Sequence, residues 1–146
     1  MLTSIEKVLF LQDIDIFENT ATEDLAFIAA ITEEIEAKAN TVLYKEEEKA
    51  DSMYLVIEGS VKLHQKEREV MTAKPKDFFG TWALFDDEPR VVSATTLEEC
   101  RLLKIDREEF YDLLADHTKI TQGVLKTLSK RLRSLLNKVR VDVEST

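Results

Sequence analysis

The residues best able to do chemistry lie in one stretch, Phe78-Phe79-Gly80-Thr81-Trp82-Ala83-Leu84-Phe85-Asp86-Asp87-Glu88-Pro89-Arg90. It holds one of three glycines, one of two prolines and the sole tryptophan. An apolar strand runs into Gly80, a short helical turn follows, and an acidic loop returns Arg90 toward that turn. Such a layout aims backbone N–H groups and a guanidinium at one small anion. The competing role for Arg90 is an ion pair with Asp86, Asp87 or Glu88, which on an exposed loop adds about 0–1 kcal/mol. Trp82 either guards the mouth of the site or packs in the ordinary way, its N–H on a carbonyl.

Little other chemistry is in view. His64 and His117 are the only histidines and lie far apart in sequence, which argues against a clustered metal centre. Ser52, Ser60 and Ser93 have no histidine at a spacing suggestive of a nucleophile–base pair. Cys100 reads as a buried strand residue. The chain is therefore expected to be no enzyme and to carry no cofactor.

Composition limits the setting. A chain of 146 residues with 44% hydrophobic and 34% charged residues suits one ordinary globular domain, 1–146. No apolar run is long enough to span a membrane, and the N-terminus lacks the pattern of a secretory signal. A lone cysteine forms no internal disulfide, so a reducing cytoplasm is the expected location. The net charge of −9 is uneven: His117 to Val141 holds seven Lys or Arg and no acid, and the first 116 residues carry −14. An acidic body is a poor partner for nucleic acid. The basic residues Lys126, Lys130, Arg131, Arg133 and Lys138 are expected to form a solvated helix face.

The elements around the stretch follow from periodicity. Ser4 to Phe10 suggests a short helix, and Thr20-Ala21-Thr22-Glu23 a capping box for a helix at 21–31. From Glu34 the period changes to two. Strands are expected around Ile35 to Ala39, Val42 to Tyr44, Met53 to Ile57, Val61 to Leu63, Val70 to Ala73, Val91 to Thr96 and Cys100 to Ile105. Glu58-Gly59 turns one of them, with Gly59 at positive φ. Short strands at this spacing mean an antiparallel sandwich or barrel. Asp106-Arg107-Glu108-Glu109 offers a second cap for a helix bearing Phe110, Leu113 and Leu114. After a break at Asp116-His117, Ile120, Val124, Leu128, Leu132, Leu135 and Val139 draw a narrow seam along a helix at about 118 to 139. Gly123 inside it marks a kink or a close contact, and 141–146 reads as a frayed tail.

In this order the chain resembles the cyclic nucleotide-binding domain of catabolite activator proteins and protein kinase A regulatory subunits. The resemblance runs from about Phe17 to Leu136. It rests on Ile16-Phe17, Val42-Leu43-Tyr44, Met53 to Val61, Asp77-Phe78-Phe79-Gly80, Ala83-Leu84, Glu88-Pro89-Arg90 and Leu103 to Phe110. It implies an α+β fold in which N-terminal helices (1–32) and a long C-terminal helix (within 106–140) flank an antiparallel β jelly-roll barrel, or double-stranded β-helix (33–105). A phosphate-binding cassette would occupy 78–91, with Gly80, Thr81, Trp82, Ala83, Arg90 and Val91 around a cyclic phosphate, as in cAMP or cGMP. The C-terminal helix would close over the ligand or pair with its twin in a homodimer through Val124, Leu128, Leu132 and Leu135. No DNA-binding or other output domain is recognisable, so any effector would be a separate protein.

The match has departures. Thr81 stands where the family has a glutamate for the ribose 2′-hydroxyl, and Val91 where it has a small residue. Trp82 replaces an aliphatic residue, and Lys76 and Glu47 fall where glycines are common. Two functions follow from the resemblance: a regulatory module sensing a cyclic nucleotide or other small anion, or a degenerate copy that serves dimerisation or protein interaction.

Overall fold

A computed structural model describes residues 1–145, with side chains through 140. Helices α1 (Ser4–Leu11) and α2 (Thr22–Ala30) precede eight strands. These are β1 (Thr32–Ala37), β2 (Val42–Tyr44), β3 (Ser52–Glu58), β4 (Val61–Gln65), β5 (Arg68–Ala73), β6 (Phe78–Phe79), β7 (Ser93–Thr96) and β8 (Cys100–Asp106). Helices α3 (Arg107–Asp116) and α4 (Thr118–Ser145) close the chain, and 3-10 turns occupy Asp15–Phe17 and Thr81–Leu84.

The strands do not close into the expected barrel. They form two separate antiparallel sheets of four, ordered β1-β8-β3-β6 and β2-β7-β4-β5. Tyr54, Val56, Phe79, Cys100 and Leu102 of the first sheet pack on Tyr44, Val61, Leu63, Ala73 and Ala94 of the second. Among the described residues no strand pair joins the two sheets. Alternating burial is the same for a barrel wall and for two stacked sheets, so the pattern alone does not separate them.

The first sheet is covered on both faces, which explains the uninterrupted apolar run of β3. Tyr54 and Val56 face the second sheet, whereas Met53, Leu55 and Ile57 enter a core with Leu11, Ile14, Phe17, Leu25, Ile28, Phe110 and Ile120. A fully buried strand has no solvent face to mark with polar residues. Gly59 turns β3 into β4 at φ +93, and a Cβ there would fall 2.5 Å from the Glu99 carbonyl.

The helix ends differ from expectation. Thr20 does not cap α2: Ala21 is its N-cap, without a side-chain bond, and Thr20 Oγ1 is buried with no hydrogen-bond partner. Asp106 does precede α3, but its carboxylate makes no cap bond and lies 3.6 Å from Lys104 Nζ. The reciprocal box forms instead at α1, where Glu6 N–H donates to Thr3 Oγ1 at 3.2 Å and Thr3 N–H to Glu6 Oε1 at 3.1 Å. The helix expected to end near 139 continues through Ser145; Thr146 lies outside the described residues.

Gly123 resolves as a close contact. A Cβ there would stand 2.6 Å from the Asn19 carbonyl oxygen, where Asn19 Nδ2 also donates to the buried Thr127 Oγ1 at 2.9 Å. Gly123→Ala should gain about 1 kcal/mol of helix propensity and lose about 1–3 kcal/mol to the clash. Urea denaturation should therefore show net destabilisation. A more stable variant would mean that α4 does not sit on Asn19.

Candidate functional site

Gly80 begins the site. It is left-handed at φ +76 and precedes the 3-10 turn Thr81–Leu84, whose Ala83 N–H donates to the Gly80 carbonyl at 3.1 Å. A Cβ at Gly80 would lie 2.8 Å from Arg90 Nη1, 3.2 Å from the Ser52 carbonyl and 3.5 Å from Tyr44 Oη. The glycine thus meets two constraints, a left-handed backbone and space for the arginine side chain.

Arg90 is turned inward and is only 7% exposed. The ion pair with Asp86, Asp87 or Glu88 is not what forms. Nη2 donates to the Ser52 carbonyl at 2.7 Å and to Ser52 Oγ at 3.4 Å, and Asp51 Oδ1 is 3.9 Å away on an exposed side chain. The guanidinium carbon stands 3.8 Å from the centre of the Tyr44 ring, a cation–π contact worth about 2 kcal/mol when desolvated. Nε is buried without a hydrogen-bond partner. A buried cation with an unused donor and only a distant, solvated carboxylate is electrostatically unfinished.

Long-range contacts hold this geometry. Tyr44 leans on Tyr54 and Phe79 at centroid distances of 6.1 and 6.3 Å, and those two stack at 5.3 Å. Arg90 N–H donates to the Glu48 carbonyl, and Glu47 N–H donates to the Arg90 carbonyl, each at 2.8 Å. Glu47 at φ 69 and Lys76 at φ 78 are both left-handed, as their glycine-favouring places imply. Arg107 Nη1 donates to the carbonyls of Ala50 at 2.6 Å, Ala83 at 3.1 Å and Asp86 at 2.6 Å. It fastens the end of the 3-10 turn to the start of β3. The sequence places Arg107 in a helix cap and in the Leu103 to Phe110 segment of the resemblance, with no site role; the signal for one is an arginine at the junction of β8 and α3.

A cavity of about 290 Å³ adjoins Arg90, and Gly80, Trp82, Ala83 and Val91 line it with Tyr44 and Leu63. Thr81 is not among these; it lines a neighbouring cleft of about 190 Å³ with Phe85, Leu128 and Arg131. Trp82 borders both spaces and is 74% exposed, so it neither packs in the core nor hides its ring. Val91 is 72% exposed. The α4 seam divides: Val124 is buried in the domain's own core and Leu128 packs against it, whereas Leu132 and Leu135 are each 60% exposed. Arg131 pairs with Asp15, and Lys130 Nζ reaches Asn19 Oδ1 at 3.4 Å, so the basic face is partly tied to the body.

Burial is the main cause that pushes the Tyr44 hydroxyl up to about 12, with Arg90 opposing it and Tyr54 adding to it. The fold favours neutral Tyr44, so its contribution is complete below the ordinary value of 10.0 and is lost as pH rises through about 12. Wild-type protein should lose roughly 2–3 kcal/mol of unfolding free energy over that window that Tyr44→Phe retains. Parallel pH curves for the two proteins would contradict the placement of Tyr44.

Among the described residues no group of three or more His, Cys, Asp or Glu is arranged to hold a metal ion, and no helix is long and apolar enough to cross a membrane. The sequence profile of the cyclic nucleotide-binding domain matches residues 34–117. The chain is 34% identical over 119 residues to the CRP-like cAMP-activated global transcriptional regulator of Mycobacterium tuberculosis, covering 75% of this chain and 53% of that protein. It thus spans about half the length of that relative. The N-terminal domain of a transcriptional regulator from Streptomyces coelicolor superposes with a TM-score of 0.82 at 26% identity, covering 86% of this chain and 94% of that one. The regulatory domain of Toxoplasma gondii PKA, solved with cAMP, shares the fold at a TM-score of 0.71 and 24% identity over 75% of this chain and 44% of its own. With its strand order, its flanking helices and these matches, the chain belongs to the cyclic nucleotide-binding domain family and is a regulatory module of that kind.

Proposed function

We propose that residues 1–146 act as one sensing unit that seats a small anion, a cyclic nucleotide or a similar compact acid, beside Arg90 and reports its presence through α4. The observation that carries this reading is the buried Arg90 guanidinium, whose Nε has no hydrogen-bond partner, on a side chain that lines a cavity. An anion there would complete hydrogen bonding and neutralise the charge together. Gly80, Trp82, Ala83 and Val91 form the rest of the seat. Trp82 also borders the cleft that contains Leu128 and Arg131, which gives a ligand-dependent movement of the 3-10 turn a physical path to α4. The exposed Leu132 and Leu135 suit a homodimer contact or a separate effector chain.

A second reading is a copy that has lost its ligand and serves as a dimerisation module. The position of Thr81, outside the Arg90 cavity, favours it. A charge-assisted bond to a sugar hydroxyl is worth about 1.5–3 kcal/mol, and Thr81 does not supply one there.

Trp82 emission should change when cAMP, cGMP, phosphate or a simple carboxylate is added, and the change should vanish in Arg90→Met. Silence from all of these anions, with calorimetry agreeing, would leave only the second reading. Sedimentation should find a dimer that Leu132→Asp dissociates; a monomeric wild-type protein would remove the dimer from both readings.

A further inference from the structure

The cavity beside Arg90 has an uneven lining. Its walls are Tyr44, Leu63, Trp82, Ala83, Val91 and Val92, and the only cationic side chain is Arg90. The remaining charged side chains are Asp86 and Glu88, both exposed on the acidic loop. Apart from the Tyr44 phenol, no neutral hydroxyl or amide side chain lines it. Asp86 Oδ1 already accepts the Glu88 N–H at 3.1 Å.

Each feature restricts what fits. One buried guanidinium with a spare Nε donor calls for one anionic group. Two carboxylates at the rim repel a second negative charge, since like charges at close range disfavour one another. Apolar walls favour an apolar body. A ribose cyclic phosphate is also singly charged, but its 2′-hydroxyl and ring oxygen would be left without partners, at about 1–3 kcal/mol for each buried group. The volume of about 290 Å³ is at the small end for ligand cavities. Trp82 and Val91, which depart from the usual cassette, contribute apolar surface where a sugar would want polar groups.

We infer that this site takes a singly charged acid with an apolar body, an aromatic or aliphatic carboxylate, in preference to a sugar phosphate. The inference rests on the reading of Arg90 as an anion seat and specifies its occupant. The acid would accept from the Arg90 guanidinium, after a small turn of that side chain brings Nε to the cavity, while its ring or chain lies along Tyr44, Val92 and the Trp82 indole. Trp82 would become less exposed in the complex.

The test compares phenylacetate, cAMP and phenyl phosphate by Trp82 fluorescence and calorimetry at about pH 8, where a phosphate monoester carries close to two charges. Phenylacetate should bind at least tenfold more tightly than either, and Arg90→Met should abolish its binding. Arg90 also supports the fold, so Glu88→Gln supplies an independent arm on an exposed residue. It should raise affinity for phenyl phosphate roughly three- to fivefold and for phenylacetate only about twofold, since the repulsion scales with ligand charge. If cAMP binds as tightly as phenylacetate, the inference fails while the anion seat stands. If no anion binds, both fail. Phenylacetate binding that survives in Arg90→Met, or no gain for phenyl phosphate in Glu88→Gln, would also overturn it.

Discussion

The structure around the cassette depends on burying one guanidinium. Placing Arg90 at 7% exposure is costly unless its donors are met, and the chain meets only part of the demand. The Ser52 carbonyl takes one short bond, the Tyr44 ring offers its face, and Asp51 gives weak, solvated compensation. Gly80 has no side chain because the arginine occupies that space. The Tyr44–Tyr54–Phe79 cluster keeps the aromatic face in position. What remains unmet is the Nε donor.

The same arrangement links the site to the helices. Arg107, the first residue of α3, holds the carbonyls at the end of the 3-10 turn, so one side chain ties α3 to that turn. Leu84, fully buried, anchors the turn in the helix-side core, and Leu128 of α4 packs against that core. The distal half of α4 carries Leu132, Leu135, Leu136 and Val139 outward. One helix therefore combines a docked half with an exposed half.

Much of this was legible in the sequence, and the failures have physical causes. The run from Met53 to Ile57 marks a strand buried on both faces, and the Pro89-Arg90 pair after Gly80 marks where a guanidinium returns to the 3-10 turn. Closure was not legible, because a barrel and two stacked sheets bury alternate residues alike. Thr20 has the composition of a helix cap, but its hydroxyl is drawn under α4 beside Gly123. The functioning box at Thr3 and Glu6 has the same Thr-x-x-Glu spacing ahead of the helix expected from Ser4 to Phe10, so spacing alone does not separate a box that closes from one that does not. Trp82 looks like a core residue by type, and its exposure depends on where the short 3-10 turn Thr81–Leu84 sits on the finished sheets. Arg90's inward turn likewise depends on Tyr44, 46 positions away in sequence, a pairing that spacing alone does not encode.

The central claim is that Arg90 Nε is a buried donor waiting for an acceptor. The most direct measurement is the Arg90 Nε–H resonance in nitrogen-15 spectra of the whole chain, assigned by its loss in Arg90→Lys and followed during titration with phenylacetate and cAMP. The account predicts a downfield shift of this resonance that saturates with the Trp82 fluorescence change. An Arg90 signal that stays fixed while Trp82 responds would show that ligand binds elsewhere, and would contradict the account.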